Sequence, residues 1–222
     1  MRALILGASG MVGMGVLLEC LDDERVTTVL VVGRSNCGVN HAKMTEVLHA
    51  DLHHPEPLAA KFAGVDACFF CVGVTSAGMT EAAYHHVTYE LTMAVAGGLA
   101  AASPQAVFCF VSGEGTDSSE RGPVMWAREK GKTENALLRL PFKAAYMFRP
   151  GVIQPMRGVR SKTRLYQAFY DVLGFVVPAL LRVLPRYVTT TVRLGRAMIQ
   201  AAIEGAPKRV LNTADINLLA GS

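Results

Sequence analysis

Short apolar runs alternate with longer stretches of helical period along this chain. The runs lie at residues 3–6, 28–32, 46–49, 67–72, 106–111 and 144–148, several of them rich in Val, Ile and Phe. Strand-length apolar runs separated by amphipathic helices predict an α/β fold, a doubly wound parallel sheet with helices on both faces. The first helix is predicted over about 10–21, with Val12, Val16 and Leu17 turned inward. A longer helix is predicted over 81–102 and a third over 123–140, where Pro123 suits a first turn that needs no amide donor. Beyond Pro150 the strand rhythm weakens: helical patterns follow near 164–170 and 190–203, with a last short strand at 209–211. The least regular stretch, 154–186, is assigned to a small cap over the sheet's carboxyl edge, where ligands bind in open sheets. No repeat or linker divides the chain, so one domain is expected over 1–222.

Composition agrees with a folded core: 51% of the 222 residues are hydrophobic and 18% charged. The apolar start is too short for a signal peptide, and the run at 173–184 is interrupted by Pro178 and Arg182. It falls short of the roughly 20 residues that span a bilayer, so no transmembrane segment is expected. Five cysteines without a secreted framework point to a reducing, cytoplasmic setting. Cys68 and Cys71 form a CxxC, but on a strand they face opposite ways and read as packed thiols. The net charge of +4 conceals an asymmetry, since residues 1–120 carry 5 Lys and Arg against 13 Asp and Glu, and the rest 17 against 5. Anions are expected at the C-terminal half.

The first strand runs directly into Gly7-Ala8-Ser9-Gly10-Met11-Val12-Gly13 and then a helix. The first glycine permits a tight turn, the second admits a pyrophosphate to the backbone, and the third lets helix and strand pack closely. The helix terminus adds unpaired N–H groups and partial positive charge. This predicts a Rossmann-type dinucleotide site. The second strand ends Val31-Val32-Gly33-Arg34-Ser35, with no acid where NAD would need one for its ribose hydroxyls. Arg34 offers a planar cation to a 2′-phosphate and Ser35 a hydroxyl, so NADP is expected in preference to NAD.

These residues resemble the short-chain dehydrogenase/reductase superfamily, in its atypical branch of NAD-dependent epimerase/dehydratase-like proteins, similar to the Tat-interacting protein oxidoreductases. The resemblance rests on the glycine turn, Asp51-Leu52, Cys71-Val72-Gly73, Val111-Ser112, Lys130-Gly131-x-x-Glu134 and Phe148-Arg149-Pro150-Gly151. It implies that Asp51 and Leu52 lie by the adenine and that Cys71, Val72 and Gly73 line the cofactor. It further implies that Lys130 bonds the nicotinamide ribose and that Pro150, Gly151 and Val152 border the nicotinamide. The implied reaction is hydride exchange with a small carbonyl or alcohol. Two residues depart from the pattern. The superfamily places a tyrosine four residues before its lysine, where the cation lowers the phenol's pKa; here Trp126, a donor only, takes that position. A serine that polarises the carbonyl falls on Ser112 in one register and is lost to Gly113 in the other. An NADP(H)-dependent oxidoreductase using Lys130 and Ser112 is therefore the leading expectation. A non-catalytic NADP(H)-sensing regulator or scaffold is its rival.

Other clusters change the picture less. His49-x-Asp51-x-His53, with His54, reads as a surface loop before Pro55, and no metal site is expected. His85 and His86 are expected in the core or at the surface. Arg157, Arg160, Lys162 and Arg164 either close over cofactor phosphates, bind an acidic small-molecule substrate, or are simply solvated. The run 175–181 fits a pocket wall, a homodimer contact or a membrane surface, with the pocket favoured. Nucleic acid is not expected, because no aromatic platforms accompany the basic residues.

Overall fold

The computed structural model describes residues 1–159 and 186–221. These form a seven-stranded sheet in the order β3-β2-β1-β4-β5-β6-β9, and every neighbouring pair is parallel. The strands are β1 (Arg2–Leu6), β2 (Thr28–Gly33), β3 (Met44–Leu48), β4 (Ala67–Phe70), β5 (Val107–Val111), β6 (Ala144–Arg149) and β9 (Val210–Asn212). The order reverses between β1 and β4, which opens the crevice where Rossmann-type sheets take their ligands. Period-two alternation divides each strand between two cores. Ala3, Ile5, Val29, Val31, Phe69, Val107, Cys109, Tyr146 and Phe148 enter one. Leu4, Leu6, Leu30, Val32, Cys68, Phe70, Phe108, Phe110 and Met147 enter the other.

The first core is covered by α1 (Met11–Asp22), α6 (Thr191–Ile203) and α7 (Thr213–Leu219), which contribute Val16, Leu17, Leu194, Met198 and Ile216. Glycines bring α1 and α6 together: a Cβ on Gly15 would stand 2.5 Å from Thr191 Cβ, and one on Gly195 2.8 Å from Glu19 Cγ. At that crossing buried Glu19 accepts hydrogen bonds from Arg157 at 3.1 Å and Arg196 at 3.0 Å. The second core is covered by α2 (Ala59–Phe62), α4 (Leu91–Ala102) and α5 (Met125–Leu137), through Phe62, Val95, Leu99 and Leu137. Ahead of α4, α3 (Glu81–His85) and a π-helical turn (His86–Glu90) follow one another without a break, so the helix expected over 81–102 is continuous.

Some boundaries differ from expectation. α5 starts at Met125 with Val124 as its cap, so Pro123 stands outside the helix rather than in its first turn. Val12 is half-buried while Val16 and Leu17 are fully enclosed. Two strands were not anticipated: β7 (Val152–Gln154) and β8 (Val188–Thr190) pair in parallel as a second sheet, three residues each and too short for a clear period. Thr190 also caps α6 by accepting from Arg193 N at 3.0 Å. Of the cap assigned to 154–186, only its two ends are among the described residues. The helical pattern near 164–170, the apolar run 173–184 and the cations Arg160, Lys162 and Arg164 lie outside them. No helix among the described residues is long and apolar enough to cross a membrane.

Candidate dinucleotide-binding site

The glycine turn is built as its spacing requires. Gly7 sits at φ +84°, and a side chain there would place a Cβ 2.6 Å from the Cys71 carbonyl oxygen at the end of β4. Gly7 O accepts from Gly10 N at 2.9 Å, closing the turn. A Cβ on Gly13 would stand 2.1 Å from that same Gly7 oxygen, so this glycine seats α1 directly on β1. Gly10 caps the helix without a side-chain hydrogen bond, and no acidic residue occupies the first turn. The first amides of α1 thus face the sheet's carboxyl edge, with their partial positive charge uncompensated by a side chain.

A cavity of about 1150 Å³ opens above that edge. Gly7, Ser9, Gly10, Met11 and Val12 line it from the turn, Arg34 and Ser35 from the end of β2, and Leu52 from beyond β3. Cys71, Val72 and Gly73 follow β4, Ser112 and Gly113 follow β5, Trp126 and Lys130 come from α5, and Pro150, Gly151 and Val152 follow β6. Gly13 lies behind the turn. Asp51 is not on the wall: its carboxylate accepts from His53 N at 3.0 Å and pairs with His54 Nδ1 at 2.8 Å. The His54 partnership holds the Asp51 pKa below the usual value. Arg34 is exposed at the rim and pairs with no carboxylate among the described residues. Arg157, expected near the cofactor or substrate, is turned to α1, bridging Glu19 and Asp22. Burial pushes the Cys71 thiol up to about 12, which keeps it protonated on the cavity wall.

The motif segments around Ser112, Glu134 and Arg149 meet in one network. Glu134 is 1% exposed and lies between Arg149, whose Nε donates to Oε1 at 3.0 Å, and Ser112, whose Oγ stands 2.5 Å from Oε1. Arg149 also donates to Ser118 Oγ at 2.6 Å. The Ser112 hydroxyl is therefore committed to a buried carboxylate, and Phe148 O lies 3.2 Å from it on the other side. Lys130 Nζ donates to the Ser112 carbonyl oxygen. Burial draws the Lys130 pKa from 10.5 down to about 8, against the opposing pull of Glu134. Gly131 is required by packing: a Cβ there would stand 1.8 Å from Asp117 O, so α5 rests on the backbone of the loop after β5. Trp126 occupies the turn of α5 before Lys130 on the same wall, its ring over Gly115.

One cavity residue, Tyr84 on α3, carries no signal in the sequence. It is 2% exposed, and its phenol pKa is raised, first by burial and then by the charge of Glu129. Neither His85 nor His86 lines the cavity among the described residues. His85 Nδ1 lies 2.5 Å from Glu129, and the His86 ring stacks on that of His53 at 4.0 Å.

A parallel sheet in Rossmann order, a glycine turn under an uncapped helix terminus and a cavity at the strand switch define a dinucleotide-binding α/β protein. The family model described as the NAD dependent epimerase/dehydratase family matches residues 3–125, and the chain belongs to this family. Similar curated proteins include "Protein FMP52, mitochondrial" from Eremothecium gossypii, 30% identical over 166 residues, 73% of this chain and 70% of that protein. The Meyerozyma guilliermondii protein of the same name is 26% identical over 155 residues, 69% of this chain and 65% of its own. "Protein HTATIP2" from Rattus norvegicus is 28% identical over 156 residues, 67% and 61% of the two chains. The chain thus spans less than two thirds of the latter two relatives. Among solved structures, UDP-N-acetylglucosamine 4-epimerase from Methanobrevibacter ruminantium M1 in complex with UDP-N-acetylmuramic acid superposes with a TM-score of 0.68. It is 14% identical and covers 95% of this chain and 75% of that one. MoeE5 in complex with UDP-glucose and NAD gives 0.65 at 18% identity, over 96% and 75%. At these identities the likeness is one of fold.

Proposed function

We propose that this chain binds NADP(H) along the carboxyl edge of its sheet and interconverts a small carbonyl compound and its alcohol. In this reading Lys130 replaces a phenol as the group that holds the reacting proton. The residues fit such a cofactor: Gly7 and Gly13 let the turn and α1 pack onto the ends of β1 and β4, and the α1 amides face the cavity without a side-chain cap. Those amides would hold the pyrophosphate, Arg34 and Ser35 the 2′-phosphate, and Pro150, Gly151 and Val152 the nicotinamide end. When bound, the nicotinamide supplies or accepts a hydride. The family's NAD dependence and the NAD in the MoeE5 complex support the cofactor class. The observation that carries the chemistry is Lys130 itself, a cavity-lining ammonium whose pKa of about 8 lets it release and regain a proton near neutral pH. We also read the protein as cytosolic, on its five free thiols.

A second reading has its own observation. Ser112 Oγ is held by Glu134, and the next residue is Gly113, which has no hydroxyl to polarise a carbonyl. That arrangement favours a protein that binds NADP(H) without turning it over. Titration with NADPH and NADH side by side, followed by turnover of wild type and Trp126→Tyr on a carbonyl panel, separates the two. The oxidoreductase reading expects tighter NADPH, measurable wild-type turnover and a loss of rate in the variant. An inert wild type whose Trp126→Tyr variant becomes active supports the sensor, and equal or tighter NADH defeats the role given to Arg34.

A further inference from the structure

Five of the six histidines collect away from the cavity wall, where the loop after β3 meets the π-helical turn. His53 comes from the loop; His86 and Glu90 are the first and last residues of the turn. One ligand atom from each lies within 4.8 Å of the other two. We propose that His53, His86 and Glu90 bind a divalent transition-metal ion of the zinc class, a site separate from the dinucleotide cavity.

The donor set is the first argument. Two imidazoles and a carboxylate suit Zn²⁺ and its neighbours, whereas Ca²⁺ and Mg²⁺ take oxygen shells. Three protein ligands leave one position of a tetrahedral ion to water. The second argument is approach. With Zn–N bonds of about 2.0–2.1 Å, tetrahedral ligands stand about 3.4 Å apart, so the atoms must close by roughly 1.4 Å at most. His86 and Glu90 are exposed and His53 half-buried, which leaves the two stacked rings, now 6° from parallel, free to splay toward one ion.

The third argument is support behind the ligands. Glu90 Oε1 is faced by His85 Nε2 at 3.7 Å, while its Oε2 stands 2.6 Å from Nδ1 of its fellow ligand His86. His85 is in turn anchored by buried Glu129 of α5, and its ring stacks on Tyr89. A carboxylate and histidine chain of this kind fixes how a ligand is presented. An ion here would tie the loop that supplies Leu52 to the helical run that supplies Tyr84, two walls of the cavity.

Chelator-treated protein of residues 1–222 titrated with ZnCl₂ against a competing fluorescent zinc indicator tests this. The expected result is one saturable equivalent, weakened at least about tenfold by His53→Gln and by His86→Gln alike, and unchanged by His41→Gln. Co²⁺ added instead of zinc is expected to give a visible band that both variants lose. No saturable equivalent in the wild type overturns the site. So does wild-type affinity in both His53→Gln and His86→Gln proteins that remain folded by circular dichroism. Loss confined to His49→Gln or His54→Gln would move the ion to the loop alone and overturn it equally.

Discussion

At the scale of single residues, the role proposed for Lys130 makes two opposite demands of its pKa of about 8. As a proton donor it is competent while charged, so turnover toward the alcohol should be full below pH 8 and fall as pH rises through about 8. For folding, the same burial makes the charged form unfavourable. Below pH 8 both folded and unfolded chains hold the proton, and the native state bears the desolvation. Between about 8 and 10.5 the unfolded chain holds a proton the native chain has released, so this group's contribution to stability improves with rising pH. Lys130→Met should therefore abolish turnover yet be more stable than wild type at pH 7, by about 1–2 kcal/mol. Urea unfolding at pH 7 and pH 10 checks this: the gap should shrink at the higher pH, and a gap independent of pH contradicts a depressed pKa. Tyr84→Phe offers the contrast. It removes the phenol on the wall, and a rate lost there but kept in Lys130→Met would assign the proton to Tyr84.

Between elements, α5 is held in place by a glycine and a buried carboxylate. Gly131 and Gly97 both lie inside helices, where alanine is intrinsically favoured by about 1 kcal/mol. Space separates them: a Cβ on Gly97 meets nothing within 4 Å, and one on Gly131 meets Asp117 O at 1.8 Å. Gly97→Ala should stabilise the protein by about 0.5–1 kcal/mol, and Gly131→Ala should destabilise it by about 2 kcal/mol or more, as read from denaturant midpoints. Glu134→Ala leaves the Arg149 guanidinium, 17% exposed, without its carboxylate. The loss should be about 3 kcal/mol, a drop in melting temperature on the order of 10 °C, with Glu134→Gln intermediate. Much of this level was legible beforehand. The strands and the glycine turn declared themselves because period and turn chemistry are local, and the KGxxE spacing marked α5. What Glu134 does was not legible, because it depends on Ser112 and Arg149 arriving at α5 from the carboxyl ends of β5 and β6. The commitment of the Ser112 hydroxyl was hidden for the same reason. His53 and His86 are 33 positions apart in sequence and meet through the packing of a loop on a helix. β7 and β8, at three residues each, offer too few positions for alternation to register.

Across the whole molecule, the charge asymmetry of the chain maps onto the cavity. The acidic half supplies β1 to β5 and the glycine turn, and the basic half supplies α5, β6 and the segment after it. A dinucleotide spanning the strand switch must touch both halves, since Gly7 and Arg34 line one side of the cavity and Lys130 and Pro150 another. NADPH should therefore slow amide exchange together at 10–13, 33–35, 71–76, 111–114 and 151–153, five segments far apart in sequence. A second, uniform slowing is expected of the most protected amides of β1, β4 and β5, because a ligand at a hundred times its Kd stabilises the native state by about 2.7 kcal/mol. The two effects have different meanings. Uniform slowing alone would report binding anywhere on the native state, whereas local slowing limited to 10–13 and 33–35 would report only the phosphate-bearing half, with the nicotinamide end unengaged. Slowing at 111–114 and 151–153 as well would report a nicotinamide end seated beside Lys130, and it can be measured before any substrate is known.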